Sequence, residues 1–193
     1  MFMSTNLEIE FKNMLDESEY KKLIEHFAIE ENQIWTQKNV YFDTKTFDLN
    51  KNQAALRVRI KNNTYELTLK TKADVGVIET NQLITKSDYA NLKHDHLLVK
   101  GLVYDKLLEL GIDVNKLRVI TDLTTKRAEV SYEDGLLVLD KSFYGEVIDF
   151  ELEYEVKDYN EGLKIFNELL NQHHIPKRPA ENKIKRATMA ILK

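Results

Sequence analysis

The sequence predicts a mainly β fold of the α+β class: a large antiparallel sheet able to close on itself, with amphipathic helices packed on its apolar face. Three observations carry the prediction. Apolar and polar residues alternate with period 2 over 7–12, 33–43, 54–60, 64–72, 77–85 and much of 117–156, and on a strand such alternation sorts side chains onto opposite faces. Turn residues join neighbouring runs at Asn62-Asn63, Asp134-Gly135 and Tyr144-Gly145, as antiparallel hairpins require. Apolar residues at helical spacing occupy the intervals between some of these runs.

Composition bounds the function. At 193 residues the chain is long enough for a real core and reads as one domain, 1–193. Charged residues make up 31%, hydrophobic ones 42%, and the net charge is −4, which suits a soluble globular protein and argues against a nucleic-acid partner. No cysteine is present, so disulfides, thiolate chemistry and cysteine zinc sites are excluded. The N-terminus lacks a basic region followed by an apolar run, and no window reaches the length of a membrane span, so the expectation is a cytoplasmic protein with no membrane partner. Glycine-rich phosphate loops are absent, which removes P-loop and Rossmann nucleotide sites.

Residues 7–12 put Leu7, Ile9 and Phe11 on one face and Glu8, Glu10 and Lys12 on the other. Alternate residues on a strand lie roughly 6.6 Å apart, near enough for two glutamates to converge on one hard cation. The same pattern also suits an ordinary half-solvated strand. Residues 16–27 follow as an amphipathic helix with Ser18 as a cap, then a strand to Asp43, where Asp43 or Thr44 starts a short turn or helix leading to Leu49. Across the Asn62-Asn63 turn, Lys61 facing Thr64 sets Arg59 opposite Glu66, Arg57 opposite Thr68 and Ala55 opposite Lys70. Residues 77–85 form a third run, with Glu79 and Asn81 on one parity. Helical periodicity over about 87–117 predicts an insertion of two or so helices within the fold.

From 117 to 156 the chain returns to strands. Glu133 facing Leu136 would set Glu129 opposite Asp140, and Phe143 facing Glu146 would set Asp140 opposite Asp149. Arg127, Glu129, Asp140, Asp149, Glu151 and Glu153 then share one face, where like charges cost stability unless water, a cation or a base relieves them. Residues 160–173 and 180–193 close the chain as helices, with Lys183 and Arg186 at i and i+3.

With helices outside, the charged face of the sheet points inward. Its acids gather at Glu8, Glu10, Asp149, Glu151 and Glu153, and its bases at Arg57, Arg59, Lys70 and Lys72. Segregated charge of this kind suits a polyanion escorted by divalent metal, the carboxylates holding metal and the bases phosphate oxygens.

Glu8-Ile9-Glu10-Phe11-Lys12 resembles the Glu-x-Glu-x-Lys signature of the CYTH superfamily, the triphosphate tunnel metalloenzymes. Further matches run in order: Tyr41-Phe42-Asp43-Thr44, Leu56-Arg57-Val58-Arg59, Leu67-Thr68-Leu69-Lys70, Arg127, Leu139-Asp140, Glu151-Leu152-Glu153 and Asn182-Lys183-Ile184-Lys185-Arg186. The superfamily includes class IV adenylate cyclases, thiamine triphosphatases, inorganic triphosphatases and messenger-RNA triphosphatases, and the chain looks most like its small bacterial members. It implies a closed eight-stranded antiparallel β-barrel, the triphosphate tunnel, with helices packed outside. By position it implies Glu8, Glu10, Glu151 and Glu153 as ligands of Mg2+ or Mn2+, with Asp140 in support, and Glu8, Glu10, Lys12, Glu151 and Glu153 as catalytic residues. Lys12, Arg57, Arg59, Lys70, Arg127, Lys183 and Arg186 would bind the phosphates, with Lys72 ranked lower because it stands near a strand end. Family members often carry a base and paired acids where this chain has Ile78-Glu79-Thr80-Asn81, so the role of Glu79 is open.

The function implied is metal-dependent hydrolysis of the terminal phosphate of a triphosphate-containing small molecule, whether inorganic, thiamine or nucleoside triphosphate. The alternatives are cyclisation by a class IV type adenylate cyclase and a non-catalytic polyphosphate- or nucleotide-binding module. Oligomeric state stays open.

Overall fold

A computed structural model of the chain describes residues 3–191; expectations on residues 1, 2, 192 and 193 fall outside them. Eight strands run β1 (Met3–Leu15), β2 (Trp35–Asp43), β3 (Ala54–Lys61), β4 (Thr64–Lys72), β5 (Val77–Ile84), β6 (Arg118–Tyr132), β7 (Gly135–Tyr144) and β8 (Val147–Val156). They form a closed antiparallel barrel in the order β1-β5-β4-β3-β2-β6-β7-β8, with helices outside. The helices are α1 (Glu17–His26), α2 (Asp48–Lys51), α3 (Lys86–Ala90), α4 (Leu102–Glu109), α5 (Tyr159–Gln172) and α6 (Lys183–Ile191). No helix among the described residues is long and apolar enough to cross a membrane.

The chain divides into two compact units, one holding residues 37–123 with the start of β1 through Leu7, the other Glu8–Thr36 with the chain from Thr124 onward. In the first, Leu56, Val58, Leu67 and Leu69 form the apolar face of the β3–β4 hairpin and pack with Leu49, Leu92, Val103, Leu107 and Leu117 from the connecting helices and turns. The β3–β4 register is the expected one, with Arg59 opposite Glu66, Arg57 opposite Thr68 and Ala55 opposite Lys70. Asn62 and Asn63 both take positive φ, as a two-residue hairpin of this twist demands. Asp43 ends β2, and its carboxylate accepts from the Thr44 amide and from the Leu49 and Asn50 amides of α2, which begins at Asp48, at 2.7, 2.9 and 3.1 Å. The 87–117 stretch holds most of α3, a π turn at Asn91–Asp95, α4 and a short 3-10 turn at Val114–Lys116, in keeping with the two or so helices expected.

In the second unit, Ala128, Leu137, Leu139, Leu152 and Tyr154 make the apolar sheet face and bury Leu23 of α1 with Phe166, Leu169 and Leu170 of α5. The cap of α1 is Asp16 rather than Ser18: Asp16 Oδ1 accepts from the Glu19 amide and Glu19 Oε2 from the Asp16 amide, both at 2.8 Å. Ser18 instead donates its hydroxyl to Asp16, because Asp16 precedes the first helical residue and its carboxylate reaches the amide three residues on.

Both later registers differ from expectation by two residues. Arg127 opposes Asp140 and Tyr132 opposes Gly135; Asp140 opposes Glu151, and Tyr144 opposes Val147. The turn residues are Glu133-Asp134 and Gly145-Glu146, with Glu133 and Gly145 at positive φ. Gly135 is a strand residue: a Cβ there would meet the Tyr154 ring at 2.5 Å and the Glu155 carbonyl at 2.6 Å. This glycine serves close packing, not turning. A two-residue shift preserves parity, so the side chains keep their expected faces.

Candidate active site

In the second unit, β1 pairs with β8 so that Lys12 opposes Glu153 and Glu10 opposes Glu155. The face opposite its apolar core therefore collects Glu8, Glu10 and Lys12 with Arg127, Asp140, Asp149, Glu151, Glu153 and Glu155. Asp140 and Glu151 are fully buried, and Glu153 nearly so. Such carboxylates persist only with partners, and the chain supplies them. Arg127 grips Asp140 with two hydrogen bonds, Nε to Oδ1 at 2.8 Å and Nη2 to Oδ2 at 2.6 Å, and reaches Glu153 Oε2 at 2.9 Å. Lys12 Nζ lies 2.9 Å from Glu10 and 3.2 Å from Glu153.

Lys183, the first residue of α6, enters the same group and contacts Asp140 at 2.9 Å, Glu151 at 2.6 Å and Glu153 at 2.6 Å. One helical step on, Arg186 pairs with Asp149 and Glu151, and the Tyr144 hydroxyl donates to Asp149. The segment before α6 is tied to β1. Asn13 accepts from the Arg178 amide at 2.7 Å and donates to the Pro176 carbonyl at 3.1 Å, while the Arg178 guanidinium binds Glu19 at 2.6 and 3.0 Å.

These contacts set the charges. Burial alone would raise the Glu153 carboxyl, but Lys12, Lys183 and Arg127 outweigh it and hold the group well below its ordinary range. Asp140 is lowered against burial by Arg127 and Lys183. Burial opposes the Lys183 ammonium and the carboxylates around it win, so its charge is locked; Lys12 is raised in the same way by Glu153 and Glu10. Two buried oxygens, Glu151 Oε1 and Asp149 Oδ1, receive no hydrogen bond among the described residues.

Glu155 behaves oppositely. Burial and the neighbouring Glu8 push its carboxyl up to about 7, with Arg127 only partly opposing them. Carboxylate oxygens of Glu8, Glu10 and Glu155 lie within 4.8 Å of one another, and that group can hold a metal ion. Glu155 has the parity of Glu151 and Glu153 in Glu151-Leu152-Glu153-Tyr154-Glu155, a signal present in the sequence, but only the β1–β8 register brings it opposite Glu10.

In the first unit, the face opposite the core carries Arg57 between Tyr41 and Thr68, and Arg59 between Asn39 and Glu66. Lys70 opposes Glu79 across β4–β5, with Nζ 2.8 Å from Oε1, and Arg57 Nη2 stands 3.5 Å from the same oxygen. Arg59 Nε donates to Asn39 at 3.4 Å. Lys72 is exposed at the end of β4. Glu79 is held down to about 2, Lys70 and then Arg57 overcoming the opposing effect of burial.

Residues 6–188 match the family described as CYTH domain. The chain is 44% identical over 185 residues, 95% of each protein, to a Bacillus subtilis protein named "Putative triphosphatase YjbK". Among solved structures, a Bacillus halodurans protein described as a "putative adenylate cyclase" is 37% identical with a TM-score of 0.91, over 94% of this chain and 97% of that one. A Hippeastrum protein described as a "putative adenylyl cyclase" with a dominant triphosphatase activity is 22% identical, with a TM-score of 0.77 over 95% and 96% of the two chains, a likeness of fold.

Proposed function

This chain belongs to the CYTH domain family, and from that premise we propose that it is a divalent-metal-dependent triphosphatase, a single CYTH domain that hydrolyses the terminal phosphate of a triphosphate-containing small molecule. The observation that carries the reading is the convergence of three carboxylates in a sheet that also carries ordered cations. Glu8, Glu10 and Glu155 converge, while Arg57, Arg59 and Lys70 gather in the other unit and Lys12, Arg127, Lys183 and Arg186 stand among buried carboxylates.

The donor set fits Mg2+ or Mn2+. Both take oxygen ligands at about 2.1 Å, so ligand atoms stand roughly 3–4.2 Å apart, close to the spacing within the Glu8, Glu10 and Glu155 group. Glu155 is a carboxyl crowded by like charge, which a divalent cation would relieve. Glu151 offers its buried Oε1, whereas both Glu153 oxygens already bind cations. Glu8, Glu10 and Glu151 would hold the metal, with Glu153 a further ligand where Lys12 and Lys183 engage phosphate instead, and Asp140 keeps Arg127 in place. A bound metal supplies neutralisation of charge on the phosphate oxygens and a more acidic water for the attack.

The chain's cations do the remaining work. Lys12, Arg57, Arg59, Lys70, Arg127, Lys183 and Arg186, with Lys72 at the periphery, orient the phosphates and stabilise the charge that develops as the terminal group leaves. One cation–phosphate pair at about 4 Å is worth about 4 kcal/mol before desolvation at an effective dielectric of about 20. A second reading, cyclisation of a nucleoside triphosphate, is favoured by the description of the Bacillus halodurans relative.

The test is phosphate release from inorganic, thiamine and nucleoside triphosphates with Mg2+ or Mn2+. Release is expected to require metal and to fall about 10²-fold or more in Glu8→Gln and in Arg57→Ala. Tight metal-dependent binding of all these ligands with no release would refute hydrolysis.

A further inference from the structure

Glu79 interrupts a cationic surface. It lies on β5 directly opposite Lys70, and one of its oxygens, Oε1, stands 2.8 Å from the Lys70 ammonium and 3.5 Å from the Arg57 guanidinium. The other, Oε2, faces the Asn81 side chain, whose Nδ2 stands 3.5 Å away. Asn81 is oriented in turn by Thr68, the fully buried residue opposite it and beside Arg57, whose hydroxyl donates to Asn81 Oδ1 at 2.7 Å. Because the Thr68 hydroxyl claims the amide oxygen, the Asn81 nitrogen turns toward Glu79. An aspartate at 81 would face Glu79 with a second negative charge; asparagine faces it with a donor.

We infer that Glu79 is a positioning residue that acts through Lys70 and Arg57: it fixes where their cationic heads stand for a phosphate, and it is not a metal ligand. A carboxylate oxygen standing between the ammonium and the guanidinium keeps these two like charges from splaying apart. It also halves their net charge. Ground-state grip on the polyanion is thereby moderated, while the geometry needed as charge develops is preserved. The low proton affinity of Glu79 keeps the arrangement intact across neutral and mildly acidic pH. The inference rests on the proposal that Lys70 and Arg57 bind phosphate.

The experiment compares wild type with Glu79→Gln and Asn81→Asp, using calorimetric binding of Mn2+ and of inorganic triphosphate together with turnover of the substrate the wild type prefers. Glu79→Gln is expected to bind inorganic triphosphate roughly three- to tenfold more tightly while kcat falls about tenfold, with Mn2+ affinity unchanged. Asn81→Asp is expected to leave Mn2+ affinity unchanged, whereas a metal site built on Glu79 would gain affinity from the added carboxylate. Lost Mn2+ affinity in Glu79→Gln, tighter Mn2+ binding in Asn81→Asp, or equal weakening of substrate binding and kcat with a lowered melting temperature would each overturn the inference. A wild type that binds triphosphate without cleaving it would sink the triphosphatase proposal, and the two binding arms would still test Glu79.

Discussion

Replacing Lys183 by methionine tests the electrostatic account of the second unit. The ammonium contacts three carboxylates at 2.6–2.9 Å, and its side chain is 11% exposed. Removing one partner from a buried ionic group costs about 3–5 kcal/mol, because charge is left uncompensated. The lower end applies here. Asp140 keeps its two Arg127 bonds, Glu153 keeps Arg127 and Lys12, and Glu151 keeps Arg186. A loss of about 3 kcal/mol lowers the melting temperature of a domain this size by about 6–12 °C. The deficit also has a pH signature. Asp140 and Glu153 are depressed in the folded wild type, so their contribution is present above the unfolded carboxyl range and is lost as pH falls through the folded values. Lys183→Met weakens that depression, so the gap between variant and wild type holds steady from pH 8 down to about 5 and shrinks below that as the carboxylates take up protons. Thermal melts in metal-free buffer across this range measure it. A gap under about 3 °C at pH 7.5, or one that widens on acidification, would refute the reasoning.

Three other predictions follow from local geometry. Glu155 titrates at about 7, raised above its unfolded value, so in metal-free protein its contribution to stability is present at low pH and lost as pH rises through 7; Mn2+ must displace its proton. Mn2+ affinity should therefore rise with pH up to about 7 and level off above it, with proton release visible by calorimetry in buffers of different ionisation enthalpy, and Glu155→Gln should flatten the profile; a flat wild-type profile from pH 6 to 8 would contradict this assignment. Gly135→Ala drives a Cβ into the Tyr154 ring and the Glu155 carbonyl and should cost about 1–3 kcal/mol in urea unfolding, whereas an undisturbed midpoint would show that the strand pairing is misassigned. Asp16→Ala removes the capping box of α1 and should cost about 1 kcal/mol in the same assay.

What was legible in the sequence follows from how each feature is encoded. The β3–β4 register could be read because Asn62-Asn63 is a two-residue turn whose residues both tolerate positive φ, with agreeing apolar faces on either side. The β6–β7 register could not, because Gly135 reads as a turn residue and serves instead to admit the Tyr154 ring, a contact between positions far apart in sequence. Face assignments survived that error, since a two-residue slip leaves parity unchanged. Glu8, Glu10 and Lys12 announce themselves by local alternation. Glu155 does not, because its meaning depends on the strand lying opposite it. Likewise, Glu79 gains its role from Lys70 across the ladder and from Asn81 two residues along. The ion pairs of Lys183 and Arg186 depend on how the segment after α5 is tied to Asn13 and Glu19, which no local pattern contains.

The central claim is that this family member cleaves the terminal phosphate of a triphosphate with a divalent cation. The most direct measurement is 31P NMR of the products formed from inorganic triphosphate and from ATP, each with Mg2+ or Mn2+ and again with chelator. The account predicts orthophosphate together with pyrophosphate or ADP, formed only with metal. Pyrophosphate accompanied by a cyclic nucleotide from ATP, or intact substrate after prolonged incubation with saturating protein, would contradict it.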